Sequence, residues 1–319
     1  MGKHLFISMY HYTRELIKSR YPNIKGLDIS LFRKQLEFFK ESFNVVSMEQ
    51  VLDAVKRGHA LPEKALLLTF DDGYMDNYLY ALPLLEEFGF QGSFFIPGKT
   101  FAEHKLLDVN KIHFLIACAD SQSLYAELLK KLDYYRGREY SFPSNNELIA
   151  EYAEANRFDD KEIVFVKRIL QTALPERLRS MLASELFEKY VGISEEILAH
   201  ELYMTEEQIK TMRRHGMFIG IHGYDHYWLG ELPVEQMKSD IDKALDVMNE
   251  FVDPNCWVMN YPYGSYNMAV VEYAREKGAM AGLTTDVRVS NLEEDDEMLL
   301  PRLDCNDFPP KSENYIKWM

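Results

Sequence analysis

The segment Lys64-Ala-Leu-Leu-Leu-Thr-Phe-Asp-Asp-Gly-Tyr74 is the strongest structural signal in the chain. Its apolar run ends at turn-forming residues, which is typical of a parallel strand buried on both faces. Asp71 and Asp72 follow the run, and Gly73 permits a sharp turn after them. Because the carboxyl ends of such strands carry the chemistry of α/β folds, we expect both acids at a functional rim. An Asp-Asp-Gly that only makes a turn is the alternative.

The two neighbouring carboxylates are expected to have different tasks. Successive strand residues point to opposite sides, so Asp71 and Asp72 do not easily share one ligand. One of them can bind a metal while the other handles a proton.

Strand and helix patterns alternate on both sides of this segment. A helix at about Asn77–Phe88 is predicted to turn Leu79, Leu82 and Leu85 inward, and a strand at Gly92–Ile96 completes a βαβ unit. The other predicted strands are Leu5–Tyr10, Asn44–Ser47, Met217–Ile221, Trp257–Tyr261 and Met280–Thr284. Further helices are predicted at Ile29–Ser42, Pro233–Phe251 and Asn267–Lys277, with capping boxes at Ser47/Gln50 and Thr205/Gln208. The alternation favours a parallel α/β architecture.

The region from about 101 to 205 breaks this alternation. It carries several amphipathic helical patterns and no obvious strand, so we predict an all-helical insertion within one domain that covers residues 1–319. A lid, a homo-oligomer interface and a substrate-specificity element are all compatible with its composition.

Composition excludes several classes of protein. The chain has 319 residues with 47% apolar and 27% charged residues, as in an ordinary globular protein, and a net charge of −15. This acidity argues against nucleic-acid partners and anionic membranes. No apolar run approaches the ~20 residues of a membrane span, and no signal-peptide pattern is seen, so a cytoplasmic location is expected. The three cysteines are far apart without a CxxC, and we expect buried, reduced thiols.

Two histidines follow another predicted strand. His222 and His226 come directly after Met217–Ile221, and they can face the same way if the turn after that strand is helical. Together with Asp72 they make a three-ligand set with room for water, as in catalytic zinc sites. Such a site lowers the pKa of a bound water, and a neighbouring Asp can take the proton. Two ordinary histidines in a surface turn are the alternative.

Three segments resemble, in chain order, motifs of the polysaccharide deacetylases, the NodB-homology group of carbohydrate esterase family 4. They are Thr69-Phe-Asp-Asp-Gly73, His222-Gly-Tyr-Asp-His226 and Tyr261-Pro-Tyr-Gly264. The resemblance covers roughly residues 5–98 and 216–303 and leaves the helical insertion outside. It implies a distorted (β/α)7-type barrel, a divalent metal that is usually zinc, and hydrolysis of an N-acetyl or similar N-acyl group on an amino sugar.

The resemblance also implies roles for individual residues. Asp71 would be the general base, and the metal ligands would be Asp72, His222 and His226. The backbone N–H of Tyr263 would help to hold the oxyanion, a stabilisation of roughly 3–4 kcal/mol in comparable sites. The other residues assigned to the substrate and oxyanion region are Tyr74, Asn260 and Pro262. The candidates for stacking on sugar rings are Tyr74, Tyr224 and Tyr263.

Two departures from the family pattern point to a subfamily. Asn260 stands where the family often has an Arg that orients the catalytic Asp, and Leu300-Pro-Arg302 replaces a late Leu-x-His. We expect Arg302 to pair with Asp71 in place of the missing Arg, the alternative being a weak surface salt bridge. No histidine follows His226, so we expect His11, at the end of the first strand, to be the general acid. A structural histidine at a strand end is the alternative for His11.

The sequence therefore predicts a metal-dependent N-deacetylase that acts on an amino sugar or acetylated glycan during glycan or glycoconjugate biosynthesis. An amidohydrolase of the same fold on a non-sugar amide is one alternative. A non-catalytic carbohydrate-binding relative is another, because the Leu-x-His is missing. A glycosidase is disfavoured, since its two carboxylates must be separated by roughly 5–9.5 Å across the scissile bond.

Overall fold

A computed structural model describes residues 4–156 and 159–319, and the chain forms two compact units. The first, called the barrel unit, comprises the chain up to Glu15, Gly26–Lys105 and His200–Met319. The second, called the helical unit, comprises Leu16–Lys25 and Leu106–Ala199. Residues 106–199 lie within the predicted insertion, whereas residues 16–25 join this unit from outside the predicted region.

The barrel unit is built on one long sheet. The strands of this unit are β1 (His4–Tyr10), β2 (Thr13–Arg14), β3 (Leu27–Asp28), β4 (Asn44–Val45), β5 (Ala65–Phe70), β6 (Gly92–Ile96), β7 (Phe218–Ile221), β8 (Trp257–Asn260), β9 (Ala279–Leu283), β10 (Ser290–Asn291) and β11 (Leu303–Asp304). In the described residues the main sheet runs β10-β1-β5-β6-β7-β8-β9, with β4 beside β5 and β11 beside β1. Its pairings are parallel except for that of β1 with β10. The short strands β2 and β3 pair separately.

The sheet curls so that its two ends approach each other through one segment near the C-terminus. Leu300 forms a parallel bridge with Leu283 of β9, and Leu303 pairs with Ser8 of β1. Arg302 lies between these two pairings. The predicted α/β fold with a curled, barrel-type sheet is confirmed.

Helices cover the sheet of the barrel unit. They are α1 (Ile29–Ser42), α2 (Met48–Arg57), α3 (Leu82–Phe88), α4 (Gly98–Ala102), α11 (Glu206–Arg214), α12 (Val234–Met248) and α13 (Met268–Glu276). Short π or 3₁₀ turns occur at Asn77–Ala81, Leu229–Glu231, Pro262–Gly264, Glu297–Leu299, Cys305–Asp307 and Asn314–Trp318. The capping boxes predicted at Ser47/Gln50 and Thr205/Gln208 are both present.

The helical unit contains α5 (Asp108–Cys118), α6 (Ser121–Tyr135), α7 (Asn145–Tyr152), α8 (Lys161–Arg168) and α9 (Glu176–Val191), with a π turn at Ile169–Ala173. The boundary between the units falls within α10 (Glu195–Leu202). A separate apolar cluster fills the helical unit, and it includes Leu128, Phe165 and Leu186. Among the described residues no helix is both long and apolar enough to cross a membrane.

Two local expectations were wrong. Leu79 is 51% exposed, because Asn77–Ala81 forms a π turn in which the N–H of Leu82 bonds to the carbonyl of Asn77. The wider π turn places more residues in each turn, so Leu79 does not stay on the face of Leu82 and Leu85. Cys118, expected to be buried, is exposed.

The fully buried strand β5 explains how the two acids reach the rim. Leu66, Leu68 and Phe70 belong to one apolar cluster, whereas Ala65 and Leu67 belong to a second. Alternate residues therefore face two different apolar cores, as the continuous apolar run predicted. Asp71 follows directly and keeps the pairing with β1, since its N–H bonds to the carbonyl of Tyr10 at 2.8 Å.

Candidate active site

Strand ends bring the predicted polar residues together in the barrel unit. Asp72, His222 and His226 are all buried, and each offers one ligand atom within 4.8 Å of the others. They are the only group of this kind found among residues 4–156 and 159–319. The distances from Asp72 Oδ1 are 3.4 Å to Nε2 of His222 and 3.2 Å to Nε2 of His226.

The hydrogen bonds of this group suit a cation. Nδ1 of His222 lies 2.7 Å from the carbonyl oxygen of Asn260, and it must donate because that oxygen only accepts. In the neutral ring the lone pair of His222 Nε2 is then aimed at Asp72, an arrangement common for metal-binding histidines. Burial lowers the pKa of His226, which favours the neutral form of that ring.

The surroundings of Asp72 Oδ1 are a second reason to infer a cation site. This oxygen is buried, and no group in the described chain forms a hydrogen bond with it. A buried carboxylate oxygen facing two ring nitrogens is costly unless a positive charge compensates it. Two imidazoles and one carboxylate also match the donor set of sites that keep a position open for substrate. The residues therefore fit a divalent cation.

The turn that carries the histidines differs from the prediction. It is not helical; instead Gly223 has φ +67° and His226 has φ +57°. These left-handed conformations, uncommon for residues other than glycine, let His226 approach Asp72 over a short connection. The i, i+4 spacing was informative, and the two rings come together although the turn is not the helical one that was the condition for this.

Asp240, which the sequence interpretation missed, holds this turn. It is 4% exposed on α12, and its carboxylate accepts the main-chain N–H groups of Tyr224 and Asp225, each at 2.9 Å. The N–H groups of Gly98 and Lys99 bond to the carbonyls of Gly223 and Tyr224 from the other side. A carboxylate on the buried face of an amphipathic helix was the available signal.

Replacing Asp240 by Asn is expected to lower the free energy of unfolding by about 1–3 kcal/mol, because one of the two partly buried N–H groups then faces an NH₂ group. Chemical denaturation measures the change. Asp246→Asn, at an exposed position of the same helix, is the matched control and should have little effect. Equal stabilities of the two variants would show that Asp240 does not hold the turn.

Arg302 binds Asp71 through a bidentate pair. Nη1 and Nη2 of Arg302 each lie 2.8 Å from one oxygen of Asp71. The other donated bonds run from Nε to the Thr284 carbonyl, from Nη1 to Thr69 Oγ1 and from Nη2 to Asn260 Oδ1. All five N–H donors of a guanidinium are thereby used. Arg302 is 1% exposed, which excludes the alternative of a weak surface salt bridge.

This pairing controls the charge of Asp71. Burial alone would raise the pKa of the carboxyl group, but the facing Arg302 guanidinium outweighs it and lowers the pKa to about 2. Asp71 is therefore an anion at neutral pH and can accept a proton at a fixed position.

His11 stands beside Asp71 on the open side of the group. Its Nε2 lies 3.8 Å from Asp71 Oδ2, and its side chain is 38% exposed. The ring thus adjoins both the carboxylate and solvent. This position suits a group that delivers a proton to a departing amine.

Two residues assigned to the substrate region do not contact solvent. Tyr74 is 0% exposed and its hydroxyl lies 2.5 Å from Asp72 Oδ2, so it does not offer a face to a sugar ring. Asn260 is also 0% exposed, and its side chain accepts from Arg302. Both expectations of substrate contact were wrong, because the Tyr74 hydroxyl bonds to Asp72 and the Asn260 side chain bonds to Arg302 in the protein interior.

The turn after β8 stays beside the histidines. Pro262 is buried, and Tyr263 is half-buried with φ +58°. The Tyr263 ring stacks on Trp228 at 4.5 Å and meets the edge of His226 at 4.6 Å. Gly264 is required next to it, because a Cβ there would lie 2.1 Å from Thr285 Oγ1. The main chain at Tyr263 is thus fixed next to the candidate metal ligands.

The fold and this group of residues place the chain in a class of α/β proteins with a candidate metal centre and a carboxylate base at one rim. It belongs to the polysaccharide deacetylase family, whose sequence profile matches residues 58–282. Members of this family act on N-acetyl amide bonds.

Known relatives share only part of their sequence with the chain. The Bacillus subtilis (strain 168) protein YxkH, named as a polysaccharide deacetylase, is 20% identical over 224 residues, which are 70% of this chain and 46% of that protein. The poly-β-1,6-N-acetyl-D-glucosamine N-deacetylase of Escherichia coli (strain K12) is 35% identical over 83 residues, 26% of this chain and 12% of that one. The chain thus spans less than half the length of these relatives.

Solved structures share the fold over almost the whole length. The Streptococcus pyogenes deacetylase PplD, in complex with acetate, has a TM-score of 0.60 at 17% identity, covering 99% of this chain and 98% of that one. IcaB from Ammonifex degensii has a TM-score of 0.55 at 18% identity, with coverages of 99% and 98%. At these identities the likeness concerns the fold.

Proposed function

We propose that the chain is a metal-dependent N-deacetylase that hydrolyses the N-acetyl group of an amino sugar in a glycan. The observation that carries the proposal is the convergence of Asp72, His222 and His226 next to an Asp71 that Arg302 keeps ionised. Family membership supports the amide bond as the target. The E. coli relative, named for its action on poly-β-1,6-N-acetyl-D-glucosamine, supports an acetamido sugar as the substrate.

In this proposal Asp72, His222 and His226 hold a divalent cation, with Zn²⁺ the best match to two imidazoles and one carboxylate. The cation would supply Lewis-acid polarisation of the amide carbonyl and activation of water. Cytoplasmic action and self-association through the helical unit stay predictions.

Three groups of the protein are assigned the proton transfers and the stabilisation of the oxyanion. Asp71 accepts the proton of the attacking water, since its oxygens are fixed by Arg302 beside the candidate metal ligands. The backbone N–H of Tyr263 stabilises the developing oxyanion. His11 then donates a proton to the leaving amine, so that the amide C–N bond breaks and acetate and a free amino sugar are released.

The test of the proposal is acetate release by purified protein. We expect turnover with β-linked N-acetylglucosamine oligomers, its loss after dialysis against a chelator, and its return with Zn²⁺. Simple N-alkyl acetamides are the control substrates. Hydrolysis of these amides alone would favour the non-sugar amidohydrolase, and metal binding without any turnover would favour a non-catalytic carbohydrate-binding relative.

Replacing His11 by Gln is expected to lower kcat about 10²-fold, the lower end of the range for general acids, because the half-open position admits water as a substitute donor. Steady-state rates of acetate release measure the effect.

His59→Gln is the control for this prediction. The His59 side chain is 64% exposed and pairs with Asp53 outside the site. The His59→Gln protein should keep the rate of the unmodified protein. A His11→Gln protein with that same rate would show that His11 is a structural residue.

A further inference from the structure

The hydroxyl of Tyr74 makes a contact that the catalytic scheme does not use. It lies 2.5 Å from Asp72 Oδ2, and Tyr74 is 0% exposed. An ionised carboxylate can only accept, so the phenol donates this hydrogen bond. The two oxygens of Asp72 are thereby separated: Oδ2 binds Tyr74, and Oδ1 faces the histidines.

We propose that Tyr74 is a positioning residue that restricts Asp72 to binding the cation through one oxygen. The inference rests on the metal site of the proposed function and deepens it. A carboxylate with both oxygens free can bind a metal through either or both. With Oδ2 engaged by Tyr74, only Oδ1 is directed at the point where Nε2 of His222 and His226 converge.

Stacked rings hold the Tyr74 hydroxyl in place. The Tyr74 ring lies 4.2 Å from that of Tyr12 with an angle of 10° between the planes, and 6.3 Å from that of Tyr203 with an angle of 11°. The main chain is also fixed, because Tyr74 and Tyr203 form an antiparallel bridge and the N–H of Met204 bonds to the carbonyl of Gly73 at 3.1 Å. The donor is therefore fixed by its own surroundings.

The loop between Asp72 and Tyr74 has a conformation that needs such support. Asp72 has φ +72° and Gly73 has φ +66°. A left-handed aspartate costs free energy and persists when neighbouring contacts enforce it. The hydrogen bond from Tyr74 is one such contact, and it acts on the ligand side chain itself.

One-oxygen coordination has a chemical consequence. Three protein ligands that each give one atom would leave a position of the cation open for substrate. A second oxygen of Asp72 would compete for that position. Tyr74 would thus increase metal affinity by preorganising the ligand, and it would also keep the coordination number low.

The test is Tyr74→Phe, which removes only the hydroxyl. We expect the Kd for Zn²⁺, measured by competition with a chromophoric chelator, to rise about 10- to 100-fold. In the Co²⁺-loaded variant the visible absorption bands should weaken, because a second oxygen raises the coordination number. Neither readout requires substrate or turnover.

The matched control is Tyr10→Phe. Tyr10 is also 0% exposed, and its hydroxyl donates to Gln35 Oε1 at 2.8 Å, away from the candidate ligands. The Tyr10→Phe protein loses a buried hydrogen bond donated by a tyrosine hydroxyl, as Tyr74→Phe does. It should bind Zn²⁺ and Co²⁺ as the unmodified protein does.

The outcomes separate this inference from the proposed function. If the unmodified protein binds no Zn²⁺, the metal site of the proposed function fails. If it binds Zn²⁺ and Tyr74→Phe keeps the same Kd and the same Co²⁺ spectrum, only the role of Tyr74 is overturned.

A second variant is available if Tyr74→Phe does not fold. Tyr12→Leu keeps the hydroxyl of Tyr74 but removes a ring that stacks on it. A weaker Zn²⁺ affinity would then support the inference, and an unchanged affinity would overturn it.

Discussion

Asp71→Asn is expected to lower the rate of acetate release by about 10⁴-fold, the upper end of the range for a general base, while the protein keeps its metal. Asp71 is 2% exposed, so bulk water does not easily replace it. An amide in its place cannot accept the proton of the attacking water. The metal should stay because Asp71 is not among the three groups that converge on one point.

The measurement combines acetate release with metal content after gel filtration. Asp72→Asn is the informative comparison, since it should lose metal and turnover together. If Asp71→Asn had both low activity and low metal content, the assignment of Asp71 as base and Asp72 as metal ligand would be contradicted. Substantial turnover by metal-loaded Asp71→Asn would remove Asp71 as the base.

The sequence predicted the parts of this site that depend on strand ends. A buried strand must place its next residues at the rim, and a parallel sheet aligns those rims, so Asp71, Asp72 and His222 could be brought together from their positions in the chain. The fold class followed from the same alternation of strand and helix. These features depend on local periodicity, which the sequence displays directly.

The sequence did not predict how the histidine turn is formed. Asp240, which lies on the following helix, bonds to two N–H groups of the turn that precede His226 and its left-handed φ. No local propensity encodes a conformation that a distant side chain stabilises. The position of Tyr74 also depends on tertiary structure. The sequence suggested that Tyr74 stacks on a sugar ring, whereas its side chain is buried against Asp72.

Membership of residues 16–25 in the helical unit was also missed. This segment is held by side-chain contacts such as the ion pair of Lys25 with Asp159 and the edge contact of Tyr21 with Phe114. Both partners are about a hundred residues away in the chain. Tertiary contacts of this kind leave no periodic pattern.

Arg302→Met is expected to lower the free energy of unfolding by about 3–5 kcal/mol, because it leaves Asp71 as an uncompensated buried charge. Nearly all rate at neutral pH should be lost as well. Without the guanidinium, burial is the main influence on Asp71, and it raises the pKa of the carboxyl group. The base is then protonated over more of the working pH range, so the limb of kcat/KM at low pH should move to higher pH.

Arg14→Met is the matched control. Arg14 also binds a buried aspartate through two bonds, of 2.6 and 2.8 Å to Asp76. Its loss should lower stability but leave the pH dependence of kcat/KM unchanged. Arg302→Lys keeps the charge with three N–H donors in place of five, so we expect an intermediate loss of stability.

The pH dependence of stability tests the same pair without substrate. In the unmodified protein the pKa of Asp71 is about 2, below the ordinary value of 3.8, so its contribution to stability is present above about pH 4 and is lost as the pH falls towards 2. In Arg302→Met we expect burial to raise the pKa of Asp71 in the folded state above that in the unfolded state. Stability should then fall as the pH rises through the raised pKa. Parallel stability curves for the two proteins between pH 3 and 7 would show that Arg302 does not set the charge of Asp71.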